Sequence, residues 1–453
     1  MKDKLVMKSD NNLLLKLCLL VLGTAFFASA ALAQSDEEED TTKTKQAQAV
    51  SKKVYDRIQQ AQEKVDAKDY PGALRILNDL RGSDLTDYEQ QNVLNYLGFV
   101  YYNMDDIKRA MQTYEEMLRI ETIEPQIKKQ TTYTLAQLST MQEDYNKALR
   151  LLDQWFVLET NPPPDAYILY AQNLYQVNRF KDMIKPIETA ISVAQKRETD
   201  VKEDWYVLLN FAYFQQEDYK KVRDIQKILL VNWPKKRYWF SLAGAYTELG
   251  EDKNLIAAYD AANTQNLLEK ENEFVTMAQL YMQAEVPYKA ATLLEQKIAD
   301  GVVEKSARNY RLLSQAWQLA MEDEKAIPAL QAAARMETDG ELFVRLGNAY
   351  LNLGEYAKCE EAVRSGLEKG GLKSPDNAQI SLGMCLYNQR EYQNSIRAFR
   401  EAGRSERSKR VANQWISVIE SDIERNEQIR LAEAAARKRT EELEARRKKA
   451  DRI

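Results

Sequence analysis

The chain has 453 residues and a formal net charge of −5, an acidic balance that argues against a general nucleic-acid binder, whose footprint is a basic face. It contains no histidine, which removes Ser-His-Asp and Cys-His constellations, His-ligated zinc and the side chain best suited to proton transfer near neutrality. The length exceeds that of a usual single domain, yet a stack of repeated units grows by addition and has no such ceiling.

Residues 1–33 carry Lys2, Lys4, Lys8 and Lys16 against Asp3 and Asp10, then an apolar run from Leu17 to Leu32, and end in Ala31-Leu32-Ala33. This pattern predicts a secretory signal peptide cut between Ala33 and Gln34. The run is slightly short for a comfortable membrane span, and Cys18 lacks the small residues that a lipoprotein signal places before its cysteine. Cys359 and Cys385 remain after cleavage. An oxidising compartment permits a bridge between them, and both positions are equally natural as small buried core residues.

Residues 34–50 hold the run Asp36-Glu37-Glu38-Glu39-Asp40 and a Thr/Lys/Gln stretch with almost no apolar residue. Such a composition cannot offset chain entropy by burial, so a flexible tether is expected.

From residue 51 to about 405 one pattern recurs, best formed in Leu346-Gly347-Asn348-Ala349-Tyr350-Leu351-Asn352-Leu353-Gly354-Glu355-Tyr356. Phe343, Leu346, Gly347 and Tyr350 fall at three- and four-residue intervals and make one apolar helix face. Gly354 breaks that helix, and a second follows with its stripe at Cys359, Val363 and Gly366. Ala73, Ala110, Ala148, Met183, Val222, Leu255, Ala290, Ala326, Cys359 and Ser395 mark where each second helix begins to pack, 33 to 39 residues apart. The first-helix signature returns as Leu97-Gly98-Phe99-Val100-Tyr101 and Leu382-Gly383-Met384-Cys385-Leu386. These residues resemble the tetratricopeptide repeat family over roughly residues 51–405. The resemblance implies an all-α superhelical solenoid of about ten helix-turn-helix repeats. Met183 and Val222 replace the usual small residue, so looser or shifted helix packing is expected in the fourth and fifth units.

After the tenth unit, Val411, Trp415, Val418, Ile419 and Ile423 form a one-sided stripe. An array needs a helix that covers its last apolar face and shows water a polar back, and residues 406–430 are assigned as that capping helix. Residues 431–453 are almost all Ala, Glu, Lys and Arg and are expected to form a charged, solvated helical tail. A coiled coil is the alternative reading of this tail, although sustained apolar heptads are missing.

The tetratricopeptide resemblance implies a concave surface, lined by first helices, that binds extended segments or helices of other proteins. Carried onto this sequence, the surface includes Asn95, Phe99 and Tyr102 in the second unit and Tyr133 and Gln137 in the third. Gln172 and Tyr175 continue it in the fourth, and Phe211 and Phe214 in the fifth. Aromatic anchors with amides suit a peptide or helix better than a phosphate or a metal. Some relatives grip a C-terminal carboxylate with cations from three successive repeats. Here Arg311, Gln315 and Arg345 approach that pattern, but Asn377 and Ser381 stand where cations are needed. No phosphate loop, CxxC pair or nucleophile with a base is found, so a non-catalytic protein without cofactor or metal is expected.

More narrowly, two features resemble the exported tetratricopeptide proteins that accompany TonB-ExbB-ExbD energy-transduction systems in marine and related gamma-proteobacteria. One is the charged segment after residue 33. The other is the stretch Val54-Tyr55-Asp56-Arg57-Ile58-Gln59-Gln60-Ala61-Gln62 that leads into Ala67-Lys68-Asp69-Tyr70-Pro71-Gly72-Ala73-Leu74. The resemblance implies a periplasmic scaffold that supports nutrient uptake at the outer membrane, with envelope proteins as partners. An assembly or chaperone factor for envelope machinery and a regulatory subunit of a periplasmic enzyme are the rival readings, because a presented surface does not name its ligand.

Overall fold

The computed structural model describes residues 50–450. The expected signal peptide, its Ala33/Gln34 cleavage point and the tether up to residue 49 lie outside the described residues. Among the described residues there are 21 helices and no strand, and the helices pair into ten hairpins followed by one long helix. The first five hairpins are α1 (Lys52–Asp66) with α2 (Tyr70–Arg81), α3 (Asp87–Asn103) with α4 (Ile107–Met117), α5 (Pro125–Met141) with α6 (Tyr145–Leu158), α7 (Pro164–Gln176) with α8 (Ile184–Lys196), and α9 (Glu203–Gln215) with α10 (Tyr219–Asn232). The other five are α11 (Lys236–Leu249) with α12 (Asp252–Thr264), α13 (Glu271–Gln283) with α14 (Pro287–Ala299), α15 (Ala307–Leu319) with α16 (Asp323–Met336), α17 (Glu341–Asn352) with α18 (Tyr356–Lys369), and α19 (Pro375–Asn388) with α20 (Tyr392–Ala402). The chain closes with α21 (Glu406–Ala450). It divides into two units, Met1–Leu229 and Leu230–Ile453.

Every hairpin turns in the same way. The second residue after the first helix (the first in the sixth hairpin, Gly250) adopts the left-handed conformation, with φ between 57° and 76°, at Lys68, Asp105, Glu143, Asn178, Glu217, Gly250, Glu285, Met321, Gly354 and Arg390. The next residue's N–H then donates to the carbonyl five positions back, from Asp69 to Lys64 through to Glu391 to Leu386, at 2.7–3.1 Å. This is the six-to-one bond of a Schellman ending, which satisfies a carbonyl that the helix terminus leaves open. In every hairpin but the fourth, the residue that donates this bond also stands immediately before the second helix. Asp69, Asp106, Asp144 and Asp218 each accept, on a side-chain oxygen, the N–H three residues on, at 2.9–3.1 Å. Asp has the reach of a capping side chain. Glu322, Glu355 and Glu391 occupy the same place without that bond.

The ten residues that mark the second-helix register are all buried, and seven of them are Ala, Cys or Ser, whose small side chains let the two helices approach. The partner surface is just as tight: a Cβ on Gly98 would come within 2.5 Å of the Tyr114 ring, and one on Gly383 within 2.7 Å of the Phe399 ring. In the fourth hairpin the expected shift is present. Second helices elsewhere begin three residues before the marker, but α8 starts at Ile184, after Met183, which caps it in helical conformation. Arg179 stands where the other early hairpins have aspartate; its side chain has no acceptor for an N–H and pairs with Asp182 at 2.7 Å instead, and the chain here makes a tighter turn, Asp182 N–H to Arg179 carbonyl at 3.1 Å, in place of a first α-helical turn. In the fifth hairpin α10 begins at Tyr219 with regular spacing, and Val222 is buried in register. A β-branched side chain fits that site without displacing the helix start.

Successive hairpins are tied at one edge. An acid in the first turn of a first helix accepts from a side chain at the start of the helix that follows the hairpin. Lys202 reaches Asp165 at 2.8 Å, Asn309 reaches Glu271 at 2.7 Å, and the Ser408 hydroxyl reaches Asp376 at 2.6 Å. These acids also lie at the positive ends of their helix dipoles.

In α21 the buried stripe differs from the expected one. Ala412 and Ile419 are buried, with Trp415, Ile416 and Ile423 packed beside them, and Phe399 stacks on Trp415 at 5.6 Å. Val411 and Val418 point outward and are 36 % and 47 % exposed. Alanine counts as apolar surface here, and the true stripe runs 408, 412, 415, 419, 423, one position off a reading anchored on valines. No helix end separates cap from tail. The helix is continuous to Ala450, and every described side chain from Glu424 onward is exposed.

Candidate functional site

The predicted surface residues all lie on first helices of the first unit, at positions that the hairpin packing leaves outward, but their surroundings differ. Asn95, Phe99 and Tyr102 on α3 are half-buried, and burial, followed by the nearby Asp105 charge, raises the Tyr102 phenol above its ordinary pKa. Tyr133 and Gln137 on α5 are also half-buried. The Tyr133 ring lies 4.5 Å from Trp155 of its own hairpin, so much of that side chain is committed to packing.

On α7 and α9 the residues come together. Tyr175 meets Phe211 at 5.1 Å and Phe180 at 5.9 Å, and Phe180 meets Phe211 at 5.2 Å, which closes a triangle of rings across the fourth and fifth hairpins. Phe214, 51 % exposed, stands on Tyr219 at 6.0 Å. Gln172, three residues before Tyr175, is exposed. Gln215, four residues after Phe211, is exposed as well, and such spacings put side chains on one helix face.

Sequence reasoning missed Phe180 and Tyr219 as members of this surface. The signal was nevertheless present. An aromatic in the last turn of a first helix stacks on the aromatic five residues later across the turn, as in Tyr175 with Phe180, Phe214 with Tyr219, and Tyr387 with Tyr392 at 5.9 Å. The left-handed residue between them folds the chain back so that the two rings meet.

In the second unit, Arg311 on α15 forms an ion pair with Glu337 at 2.5 Å, which engages the cation a carboxylate clamp would need. The structure places Cys359 of α18 and Cys385 of α19 in a disulfide, with Cα atoms 5.9 Å apart; both residues are fully buried. Among the described residues no group of Cys, Asp or Glu is arranged to hold a metal ion, and no helix is long and apolar enough to cross a membrane.

Residues 340–368, the ninth hairpin, match the family model described as Tetratricopeptide repeat. The fold throughout is a tetratricopeptide-type helical repeat, and this arrangement defines a scaffold suited to protein–protein interaction. No curated protein matches the chain. Among solved structures it is similar to the MamA protein, at 21 % identity over 37 % of this chain and 89 % of that one, with a TM-score of 0.32. It is also similar to a tetratricopeptide repeat protein from Parabacteroides merdae ATCC 43184, at 15 % identity over 60 % and 100 % of the two chains, with a TM-score of 0.34. The APC/C hetero-tetramer Cut9-Hcn1 matches at 16 % identity over 81 % and 84 %, with a TM-score of 0.29.

Proposed function

We propose that the chain is a non-catalytic periplasmic binding platform for cell-envelope proteins and supports TonB-dependent energy transduction. The observation that carries the binding role is the aromatic face of α7 and α9, where Tyr175 and Phe214 stand exposed beside half-buried rings and amide neighbours on a packed scaffold. Interface hot spots are enriched in such side chains, because a rigid ring buries much area for little lost freedom. Export is supported by the sequence pattern that ends at Ala33 and by the Cys359–Cys385 bridge, since disulfides persist in oxidising compartments. The link to TonB-ExbB-ExbD rests on the resemblance of the post-signal segment and of residues 54–74.

Crosslinking in intact cells followed by identification of partners tests the reading. The expected partners are inner-membrane energy-transduction proteins, captured less well by a Tyr175→Ala, Phe214→Ala double variant whose circular dichroism is unchanged. Capture only of outer-membrane assembly factors favours the chaperone alternative, and a copurifying hydrolase favours the regulatory-subunit alternative. N-terminal sequencing of periplasmic protein should begin at Gln34; a chain that starts at Met1 in the inner membrane overturns the assignment of export.

A further inference from the structure

The turn edge of the seventh, eighth and ninth hairpins is apolar at positions that are polar elsewhere in the array. Tyr288, Leu319, Met321 and Leu353 are all exposed there, Leu319 by 58 % and Met321 by 89 %. Where Met321 stands, the other nine hairpins place Lys, Asp, Glu, Asn, Arg or Gly. An exposed methionine in the left-handed region is strained with little packing to offset it, so the turn itself does not require this residue. The three turns are contiguous. Tyr288 lies 5.3 Å from Trp317, Lys325 stands over both rings at 4.9 Å, and the Asn352 amide donates to Asp323 at 2.7 Å. A connected apolar patch on a surface marks a place of contact. Its rim is acidic: Lys325 and Lys358 are engaged by Glu322 and Glu355, which leaves Glu285, Asp323 and Glu324 against Lys289.

The same chain carries the complement. Helix α21 packs as an eleventh first helix: Ser408 reaches Asp376 at 2.6 Å, the Tyr387 hydroxyl reaches Asp422 at 2.6 Å, and the Asn426 amide reaches Tyr392, the first residue of α20, at 3.4 Å. At Asn426 the helix is therefore level with the tenth turn. The remainder, to Ala450, runs past the turn edge for about 36 Å at 1.5 Å per residue. Ile429, Ala436 and Leu443 are exposed and seven residues apart, so they share one helix face, and Arg439 and Arg447 each lie four residues from Leu443 on that face. Two such tails paired in parallel would set Arg439 against its own counterpart, which works against a coiled coil. An apolar edge with an acidic rim suits both kinds of side chain. An unbroken helix that runs past its own turn edge cannot lie back across it, so the edge it covers belongs to a second copy.

We propose that two copies of this chain associate tail to edge: the face of α21 that holds Ile429 and Leu443 lies across the turns of the seventh to ninth hairpins of the other copy. Its apolar side chains cover Leu319, Met321 and Leu353, and its arginines meet the acidic rim. From Ile429 to Leu443 the helix covers about 21 Å, enough to cross neighbouring turns whose helices pack roughly 8–10 Å apart. A helix on a few turn tips buries little area, so the association is weak, on the order of tens of micromolar, and dilute protein is monomeric. This contact lies wholly in the second unit and does not depend on what the aromatic face of the first unit binds.

The test is light scattering coupled to gel filtration of the full exported chain, from low to high micromolar concentration and at low and high salt. An apparent mass that rises with concentration, and rises less at high salt, is expected. Leu443→Gln, and separately Leu319→Gln with Met321→Gln, should each weaken association about tenfold; all three sites are exposed, and circular dichroism checks the fold. A chain that ends after Glu427 should stay monomeric. A photo-crosslinking residue in place of Leu443, in a mixture of isotopically heavy and light copies, should join the tail of one copy to the Leu319–Met321 turn of the other. A monomer at every concentration overturns the proposal, as does association that the shortened chain or the Leu319→Gln, Met321→Gln variant retains in full. Crosslinks from tail to tail, or within one copy, overturn it as well.

Discussion

Eight of the ten hairpin turns place a residue other than glycine in the left-handed region, where a Cβ costs on the order of 1 kcal/mol. Met321 is the clearest case, because its side chain is 89 % exposed and little packing offsets the cost. Met321→Gly should therefore raise the stability of the second unit by about 1 kcal/mol, read as a higher denaturation midpoint. A second residue carries pH dependence. Glu89 is buried and accepts from the backbone N–H groups of Ser51 at 2.9 Å and Thr86 at 3.0 Å. Hydrogen bonding by Ser51, and then by Thr86, holds its carboxyl down to about 2, against an ordinary value of 4.5. The folded value lies below the unfolded one, so this stabilisation is present above pH 4.5 and is lost as pH falls toward 2. Glu89→Gln should flatten that acid limb in a denaturation series; an unchanged limb assigns it to other carboxylates.

At the scale of the element, α21 separates a docked half from a free one. Ile419 is fully buried against α20, while Val418 beside it is 47 % exposed. Ile419→Ala should cost about 2–3 kcal/mol as a core truncation, and Val418→Ala should stay within about 0.5 kcal/mol. Equal costs would restore the valine-based stripe. Shortening the chain after Glu427 should leave the melting temperature unchanged, because only solvated helix is removed. The same helix shows where sequence reading works and where it stops. The need for a cap followed from the end of the repeats, and Trp415, Ile419 and Ile423 were legible as its stripe. Ala412 was not, since its small side chain carries no hydropathy signal until Phe399 and Trp415 pack around it. Helix pairs were likewise legible from the buried small residues, which must recur. The left-handed turns were hidden because Lys, Asp, Glu, Asn, Met and Arg all occupy them, and the backbone bond that fixes them leaves no mark on residue type. The ring triangle at Tyr175 was half visible, because the outward aromatics could be placed on α7 and α9 while Phe180 needed the turn geometry.

Within each unit, stability is the sum of hairpins and of the interfaces between neighbours, as in any stacked repeat. The first unit holds the exposed aromatic face, and the second holds the disulfide. Removing the bridge with Cys359→Ala and Cys385→Ala should lower the stability of the second unit by about 3 kcal/mol by the chain-entropy model. The first unit should be untouched, which hydrogen exchange resolved along the chain would check. Protection lost equally in both units would show that they unfold together.

The bridge also changes how the chain would bear a load. A pull on the long terminal helix would peel α21, then α20, then the end of α19, each yielding its contour to the pulling end. At Cys385 the yielding stops, because the chain there is covalently fastened to Cys359, 26 residues earlier. That loop, on the order of 90 Å of extended chain, cannot be paid out, and the tension jumps directly into α18. Hairpins nine and ten thus act under force as a ratchet stop: slack can be drawn from the tail, but the remaining repeats receive the strain through a covalent link.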